Sequence, residues 1–440
     1  MRGRLPRAVA DYRGLFDRRV WFLTAGQVVL SLGRGILMPF ITLYFYNVRG
    51  FPLALIGLSL AIAFPLGSIV GLYWGSTADA VGRKPLMLLG YFSAAAMSVA
   101  LAFVATIPEL FVVTALQSIA FSAVNPANRA MVADVTPPGR RTRAYGLLYM
   151  ANNLGLSVGL LVGGLLAVFL PYQALFFAEA GGSVAYGLVV LLFVQESHAR
   201  EASAAAAAGG SALANVGREL RALSTPLHDR SFLLFGAAGV CVGLGWSQLY
   251  ITFSPYLKDV LGTPDAWIGA LFSINTVMVV LFQIPLSAWA ERHARTDVFV
   301  VGNALLAVSL LVTWAAGGAS DVGTAMAVMV LAVVVMTVGE IVNAPIGPSL
   351  VAGLAGSASD VAKYMAAFDL TWSVGTGIGA IVGGAFFDAG RPRLLFPSVA
   401  VSVLVGMVLY WRLGRVLPRD VNRPAPDDGE PHVPVPGLGD

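Results

Sequence analysis

Five ionisable side chains lie inside long apolar stretches of the 440-residue sequence: Arg34, Arg129, Glu179, Glu340 and Asp369. A charged group inside a bilayer costs at least a few kcal/mol, so such a residue by default faces a cavity or a partner. A carboxyl group can load and unload a proton when its surroundings alternate between a dry environment and the neighbourhood of a cation. The three carboxylates are therefore candidate proton carriers.

The position of each charge suggests what it does. Glu340 is the first candidate because it lies near the middle of a long apolar stretch. For Glu340 the alternative is a structural hydrogen bond to a neighbouring segment, and for Glu179 it is a structural role. Asp369 lies about two turns into its stretch, where it can shuttle protons or contact a charged loop described below. Arg34 can bind an anionic substrate group or form a fixed pair with a carboxylate.

Aromatic and amide side chains accompany these charges at similar depths. Aromatic rings offer apolar faces to an organic ligand, and amides offer hydrogen bonds that orient it. With Arg34, we predict the following as substrate-binding residues: Tyr44, Asn152, Trp246, Gln248, Tyr250 and Asn343.

The elements that position these residues are membrane-spanning helices. Hydrophobic side chains make up 57% of the sequence and charged ones only 12%, whereas soluble domains carry about 25% charged residues. Twelve apolar segments are long enough to cross a bilayer as helices. They cover residues 20–46, 54–77, 85–106, 109–132, 144–170 and 172–195, and then 231–257, 266–290, 297–317, 322–353, 362–387 and 394–412. The sequence predicts an all-α membrane protein with twelve transmembrane helices.

The distribution of basic residues predicts the orientation. Most of the 28 Lys and Arg residues lie in segments on the same side as both termini, and basic loops stay in the cytoplasm. The longest polar break divides the spans into six plus six. The predicted organisation is a cytoplasmic N-terminus (1–19), a six-helix bundle (20–195), a cytoplasmic linker (196–230), a second six-helix bundle (231–414) and a disordered cytoplasmic tail (415–440).

An internal repeat relates the two bundles. A shift of about 220 residues brings Gly155, Gly159 and Gly163 of span five onto Gly375, Gly379 and Gly383 of span eleven. Glycines four residues apart lie on one helix face and allow another backbone to approach closely. Two similar bundles that rock about a shared seam are typical of transporters that work by alternating access.

One loop carries a more specific signal. Between spans two and three the chain reads Gly75-Ser-Thr-Ala-Asp79-Ala-Val-Gly82-Arg83-Lys84. Gly75 permits close helix contact, Asp79 can accept hydrogen bonds from a neighbouring helix start, and Arg83 can pair with a carboxylate. The segment resembles the signature loop of the major facilitator superfamily, G-x-x-x-D-x-x-G-R-[RK], at the place where that family has it.

The resemblance implies a fold of two six-helix pseudo-repeats in which spans one, four, seven and ten line a central cavity. In the family this loop acts as a conformational latch that stabilises the outward-open state, and a carboxylate at the end of span four joins it. Asp134 matches that carboxylate, and we expect Arg129 to belong to the same cluster rather than to contact substrate.

The segment from Asp134 to Gly146 and the Tyr364-Met365 start of span eleven are similar to bacterial drug:proton antiporters. One departure is Leu160, where many drug exporters have a proline after G-x-x-x-G. The resemblance implies a monomeric multi-pass protein of the bacterial inner membrane. It would export hydrophobic or amphipathic small molecules by alternating access, with the proton gradient as energy source and no cofactor. The alternative is a proton-coupled uptake carrier or facilitator for a small polar or anionic metabolite.

The sequence argues against other classes of protein. Its one cysteine, Cys241, excludes an intramolecular disulfide and every cysteine-based metal cluster. We see no spacing typical of a catalytic or metal site and no basic stripe of the kind that binds nucleic acid. We therefore expect neither an enzyme nor a nucleic-acid partner.

Overall fold

The computed structural model describes residues 16–137, 141–197, 226–355 and 358–423. In these ranges twelve helices are long and apolar enough to cross a membrane. The first six are α1 (Arg18–Leu37), α2 (Leu53–Val81), α3 (Arg83–Phe103), α4 (Ile107–Val135), α5 (Arg141–Phe169) and α6 (Tyr172–Phe193). The second six are α7 (Arg230–Ile251), α8 (Asp265–Ala290), α9 (Arg295–Ala316), α10 (Val322–Asn343), α11 (Ala358–Asp388) and α12 (Pro392–Val416).

Short helices extend or follow several spans. They are Ile41–Leu43 and the π-helix Tyr44–Val48 after α1, Phe253–Pro255 and the π-helix Tyr256–Val260 after α7, Ile346–Leu354 after α10, and the separate Pro226–His228 and Arg419–Asn422. The tenth predicted span, 322–353, is interrupted before Ile346 because Pro345 has no N–H to continue the helical ladder.

Helix contacts repeat from one half of the chain to the other. In the first half α1 packs on α5 and α6, α3 on α4 and α6, and α2 on α4. In the second half α7 packs on α11 and α12, α9 on α10 and α12, and α8 on α10. The pattern is consistent with the predicted six-helix repeats, and the halves meet where α2 packs on α11 and α5 on α8.

Glycines allow the closest of these approaches, as predicted. On α5, Gly159 lies against Gly35 of α1, and on α11, Gly375 lies against Gly243 of α7. Between the halves, a Cβ added to Gly57 of α2 would stand 2.5 Å from the carbonyl oxygen of Ala380 on α11. The spacing of glycines in the sequence therefore marks both the packing within each bundle and the seam between the bundles.

Both chain ends leave the helices at the same face of the bundle, which we name the terminal face; the opposite face is the distal face. At the terminal face, the chain stays ordered beyond the predicted start of the tail at 415. The amide of Thr296 donates to Asn422 Oδ1 over 3.1 Å, so the short helix after α12 packs beneath α9. Most of the predicted linker, tail and N-terminal segment lies outside the described residues.

Candidate functional site

A cavity of about 480 Å³ lies between the two halves. Helices α1, α2, α4, α5 and α6 contribute most of its lining, and α7 and α11 close it from the second half. The surface is mainly apolar, with a small number of polar side chains among the hydrophobic ones. The polar and charged lining residues are Ser31, Arg34, Thr114, Gln117, Ser118, Asn152, Glu179, Ser247, Tyr250 and Thr376.

Arg34 and Glu179 form the charged part of this surface. The Arg34 side chain is exposed to the cavity, with its guanidinium carbon 4.9 Å from the ring centroid of Phe121. Glu179 is only 6% exposed, and the charge of Arg34 acts on it electrostatically. The predicted deep cation and one predicted carboxylate are therefore neighbours, although they lie 145 residues apart in the chain.

Two further polar residues hold the Glu179 carboxylate in place. The hydroxyl of Ser98 on α3 donates to Glu179 Oε2 over 3.1 Å, and Gln117 Nε2 on α4 donates to the Ser98 hydroxyl over 3.0 Å. Sequence reasoning did not select Ser98 or Gln117. A glutamine in the middle of an apolar span was the available signal for Gln117, whereas serine is too common in membrane helices to stand out.

Asn152 and Tyr250, two of the predicted substrate-binding residues, are among the residues that line the cavity. Asn152 Oδ1 accepts hydrogen bonds from Gln27 Nε2 over 3.1 Å and from the Ser31 hydroxyl over 2.8 Å, which fixes the amide between α1 and α5. The Tyr250 side chain is 47% exposed, and its backbone carbonyl accepts from the hydroxyl of Thr42 over 3.3 Å. Tyr250 therefore presents its ring to the cavity from the second half.

Glu340 lies outside the cavity lining, within the second half. Asn275 Nδ2 on α8 donates to Glu340 Oε2 over 2.7 Å and also to the Thr337 hydroxyl over 2.9 Å. The charge of Glu340 acts electrostatically on Tyr250, which does line the cavity. The structural hydrogen bond considered as the alternative for Glu340 is thus present.

Four of the predicted substrate-binding residues also lie away from the cavity lining. Tyr44 is 1% exposed, and its hydroxyl donates to the carbonyl oxygen of Ala102 over 2.5 Å. Asn343 lies on α10, where its Nδ2 donates to Asn303 Oδ1 over 3.4 Å. Both side chains are enclosed by helices of their own half because each finds a partner on a neighbouring helix.

Trp246 and Gln248 lie on faces of α7 that point away from the cavity. Trp246 is 8% exposed and belongs to the hydrophobic core. Gln248 is 2% exposed, and its Nε2 donates to the carbonyl oxygen of Gly379 over 2.9 Å, which ties α7 to α11. The cavity instead receives Ser247 and Tyr250, which are three residues apart and share a helix face.

The loop that resembles the family signature lies at the terminal face. Gly82 has a φ of 106°, a conformation that glycine adopts without steric cost. Arg83 Nε lies 3.4 Å from Asp134 Oδ2, as expected for the predicted pair. The Glu196 carboxylate accepts from the backbone amides of Arg83 and Lys84 over 3.2 and 3.0 Å and so caps α3. Sequence reasoning missed Glu196.

The other predicted latch residues include Gly75, Asp79 and Arg129. Gly75 and Asp79 lie in α2, but the surroundings of their side chains are outside what the structure describes. Arg129 is exposed, and its charge acts electrostatically on Asp369 of α11, which is also exposed. The charges of Arg129 in the first half and Asp369 in the second half therefore lie within electrostatic range of each other.

Polar contacts between the two halves cluster at the distal face. The Tyr172 hydroxyl contacts Lys258 Nζ and donates to Asp265 Oδ2 over 2.8 Å. Asn47 Nδ2 donates to Asp259 Oδ1 over 2.8 Å. Burial raises the pKa of the Asp259 carboxyl, and the hydrogen bond from Asn47 opposes that rise. These contacts join the two halves at the distal face and so close this end of the cavity, which we call the distal mouth.

Comparisons with known proteins agree with this architecture. The model of the Major Facilitator Superfamily matches residues 23–266 and 235–439. The chain is 26% identical over 400 residues to the multidrug resistance protein MdtH of Aeromonas salmonicida, covering 88% of this chain and 94% of that protein. It is 26% identical over 433 residues to a Na(+), Li(+), K(+)/H(+) antiporter of Planococcus maritimus, and the alignment covers 90% of this chain and 96% of that protein.

Among solved structures, that of the nucleoside transporter NupG matches with a TM-score of 0.73 at 15% identity, covering 90% of this chain and 99% of that one. This likeness concerns the fold. The family match covers most of the sequence, and the relatives align over nearly their full length. The chain therefore belongs to the major facilitator superfamily of membrane transporters, and it resembles the drug antiporters of that superfamily.

Proposed function

We propose that this transporter exports hydrophobic or amphipathic small molecules in exchange for protons. The observation that carries the proposal is the cavity, in which a mainly apolar surface surrounds one exposed guanidinium and one buried carboxylate. Such a surface suits a ligand that is largely apolar and carries few polar groups. The similarity to MdtH, a multidrug resistance protein, supports the same substrate class.

Glu179 is the proposed proton carrier nearest to the substrate. It lies at the cavity surface with the exposed Arg34 and accepts a hydrogen bond from Ser98, so changes in hydration or in Arg34 contacts can shift the balance between its neutral and ionised forms. Glu340 is a second proposed carrier, held by Asn275 outside the cavity lining. Asp369 faces Arg129 near the terminal face and gives protons a third site on that side.

The closed distal mouth supports an inward-facing state. The distribution of basic residues predicts that the terminal face is cytoplasmic, which makes the distal face the outer one. In this state the cavity would exchange substrate with the cytoplasm, and opening of the distal mouth would release it outside. This order of events is alternating access, the mechanism of transporters that are built from repeats.

A second candidate function is the uptake of a small polar or anionic metabolite. It is favoured by the exposure of Arg34 in the cavity, since a guanidinium binds carboxylate and phosphate groups with paired hydrogen bonds. Gln117 and Asn152 add amide groups to the same surface. The two candidates differ in the direction of transport relative to the proton gradient.

A transport assay separates the two candidates. The purified protein is reconstituted in liposomes, a pH gradient is imposed, and movement of ethidium, an amphipathic cation, is followed by fluorescence. The proposed export predicts that ethidium moves against the direction of proton flow. Accumulation of an anionic metabolite probe in the direction of proton flow, with no movement of ethidium, would instead support the uptake carrier.

A further inference from the structure

The start of α2 takes its helix cap from the opposite half of the molecule. The first backbone amides of a helix have no partners within the helix. Here the amides of Leu53 and Ala54 donate to Oδ1 and Oδ2 of Asp388 over 2.9 and 3.0 Å. Asp388 is the last residue of α11, so this cap joins two helices that belong to different halves.

The local sequence of α2 explains why it needs an external cap. Pro52 precedes the helix and has no side-chain acceptor, and the first turn of α2 contains no acidic residue. The equivalent position in the second half is Pro264, which precedes α8, but there the next residue is Asp265. The first turn of α8 thus contains a carboxylate of its own, whereas the first turn of α2 receives its carboxylate from the other half.

The position of Asp388 in its own helix points to the same conclusion. A carboxylate at a helix C-terminus is near the negative end of the macrodipole, which is unfavourable, whereas a carboxylate at an N-terminus is favourable. Asp388 is in the unfavourable place for α11 and in the favourable place for α2. Its hydrogen bonds exist only while the ends of these two helices stay together.

We propose that Asp388 is a positioning residue of the transport cycle, which holds the distal mouth closed by capping α2 across the seam. Opening of the mouth separates α2 from the end of α11 and leaves the amides of Leu53 and Ala54 without this acceptor. The inference rests on alternating access within the proposed function, and it is independent of the substrate and of proton coupling.

The test is a distance measurement between the halves at the distal face. Spin labels are placed at Ala105, before α4, and at Ala315, in the last turn of α9, in a Cys241→Ser background; both alanines are exposed. Pulsed electron paramagnetic resonance on the full chain in nanodiscs then gives the populations of closed and open mouths. No substrate or proton gradient is needed, so a failure of the export proposal leaves this test unaffected.

Asp388→Ala should shift the ratio of open to closed mouths by roughly 2- to 30-fold, the range expected for loss of a helix cap. The matched control is Asp321→Ala. Asp321 also caps a helix at the distal face, since it accepts from the Thr324 amide over 3.0 Å, but the helix is α10 of its own half. An equal shift in both variants, or no shift in Asp388→Ala, would overturn the proposal.

A second variant keeps the test informative if Asp388→Ala folds poorly. Pro52→Ser gives α2 an N-cap hydroxyl of its own. It should open the mouth partly in the presence of Asp388, and it should restore folding of the Asp388→Ala protein. If Pro52→Ser leaves the distance distribution unchanged, the cap that Asp388 provides to α2 does not control the distal mouth and the proposal is wrong.

Discussion

At the scale of single residues, the site combines an exposed cation with a buried carboxylate. Arg34 faces the cavity, whereas Glu179 is buried behind it and receives a hydrogen bond from Ser98. A ligand in the cavity can therefore contact Arg34 directly and influence Glu179 through it. The sequence singled out both residues because each is a charge inside an apolar stretch, but only the fold shows that they are neighbours.

Glu179→Gln should abolish transport of ethidium driven by a pH gradient and leave movement down a dye gradient intact. The amide can keep a hydrogen bond with Ser98 but cannot take up and release a proton. The measurement is dye flux in proteoliposomes. Glu109→Gln is the matched control, because Glu109 belongs to the capping box of α4 rather than to the cavity. Gradient-driven flux at the wild-type rate in Glu179→Gln would remove it from the coupling step.

Arg34→Gln should weaken binding of an anionic amphipath such as taurocholate by about tenfold or more, since hydrogen bonds to charged groups contribute roughly 1.5–3 kcal/mol. The affinity of Arg34→Lys for the same ligand should lie between those of the wild type and Arg34→Gln, because lysine keeps the charge and lacks the planar guanidinium. Calorimetry on the purified protein measures both. Equal affinities in all three proteins would show that Arg34 does not contact the ligand.

At the scale of helices, length and composition could be predicted from the sequence because they are properties of each segment. The face that each helix turns toward the cavity could not be predicted. Trp246 and Tyr250 are both aromatic residues near the end of α7 and look equivalent in the sequence, yet one packs in the core and the other lines the cavity. The contacts of α7 with α11 and α12, formed by residues distant in the chain, decide the difference.

The spacing of glycines was a more reliable guide to helix contacts than aromatic residues were to the cavity lining. Glycines indicate where two backbones approach each other, and this does not depend on side-chain direction. Gly57→Ala should favour the open distal mouth, because the added methyl group would meet the Ala380 carbonyl oxygen on the opposite half. The distance between labels at Ala105 and Ala315 measures the shift. Gly181→Ala is the control, since nothing lies within 4 Å of a Cβ at that position. Equal distance distributions in Gly57→Ala and wild type would contradict the role of this contact.

At the scale of the whole molecule, the two faces differ in how the halves meet. The distal face is held by Asp388 of α11, which caps α2, by Tyr172 with Asp265 and by Asn47 with Asp259. At the terminal face, Arg83 pairs with Asp134 inside the first half. The orientation inferred from the basic residues stays a prediction, and the helix contacts are consistent with the two-bundle plan inferred from the repeats. The state of each mouth depends on contacts between the halves that no local pattern records.

The signature loop and Asp388 should act in opposite directions. By resemblance to the family, Asp79 stabilises the outward-open state, so Asp79→Asn should enrich closed distal mouths while Asp388→Ala enriches open ones. The same pair of labels measures both, and the double variant should lie between the two single ones. A shift of Asp79→Asn toward open distal mouths would contradict the latch role of the loop.

Proton exchange for substrate is the central claim, and proton flux driven by substrate alone tests it most directly. Proteoliposomes with equal pH on both sides receive an ethidium gradient, and a trapped pH-sensitive dye reports the movement of protons. Exchange predicts that protons move opposite to ethidium in the wild type and do not move in Glu179→Gln. Ethidium transport without proton movement, or with protons moving in the same direction, would contradict it.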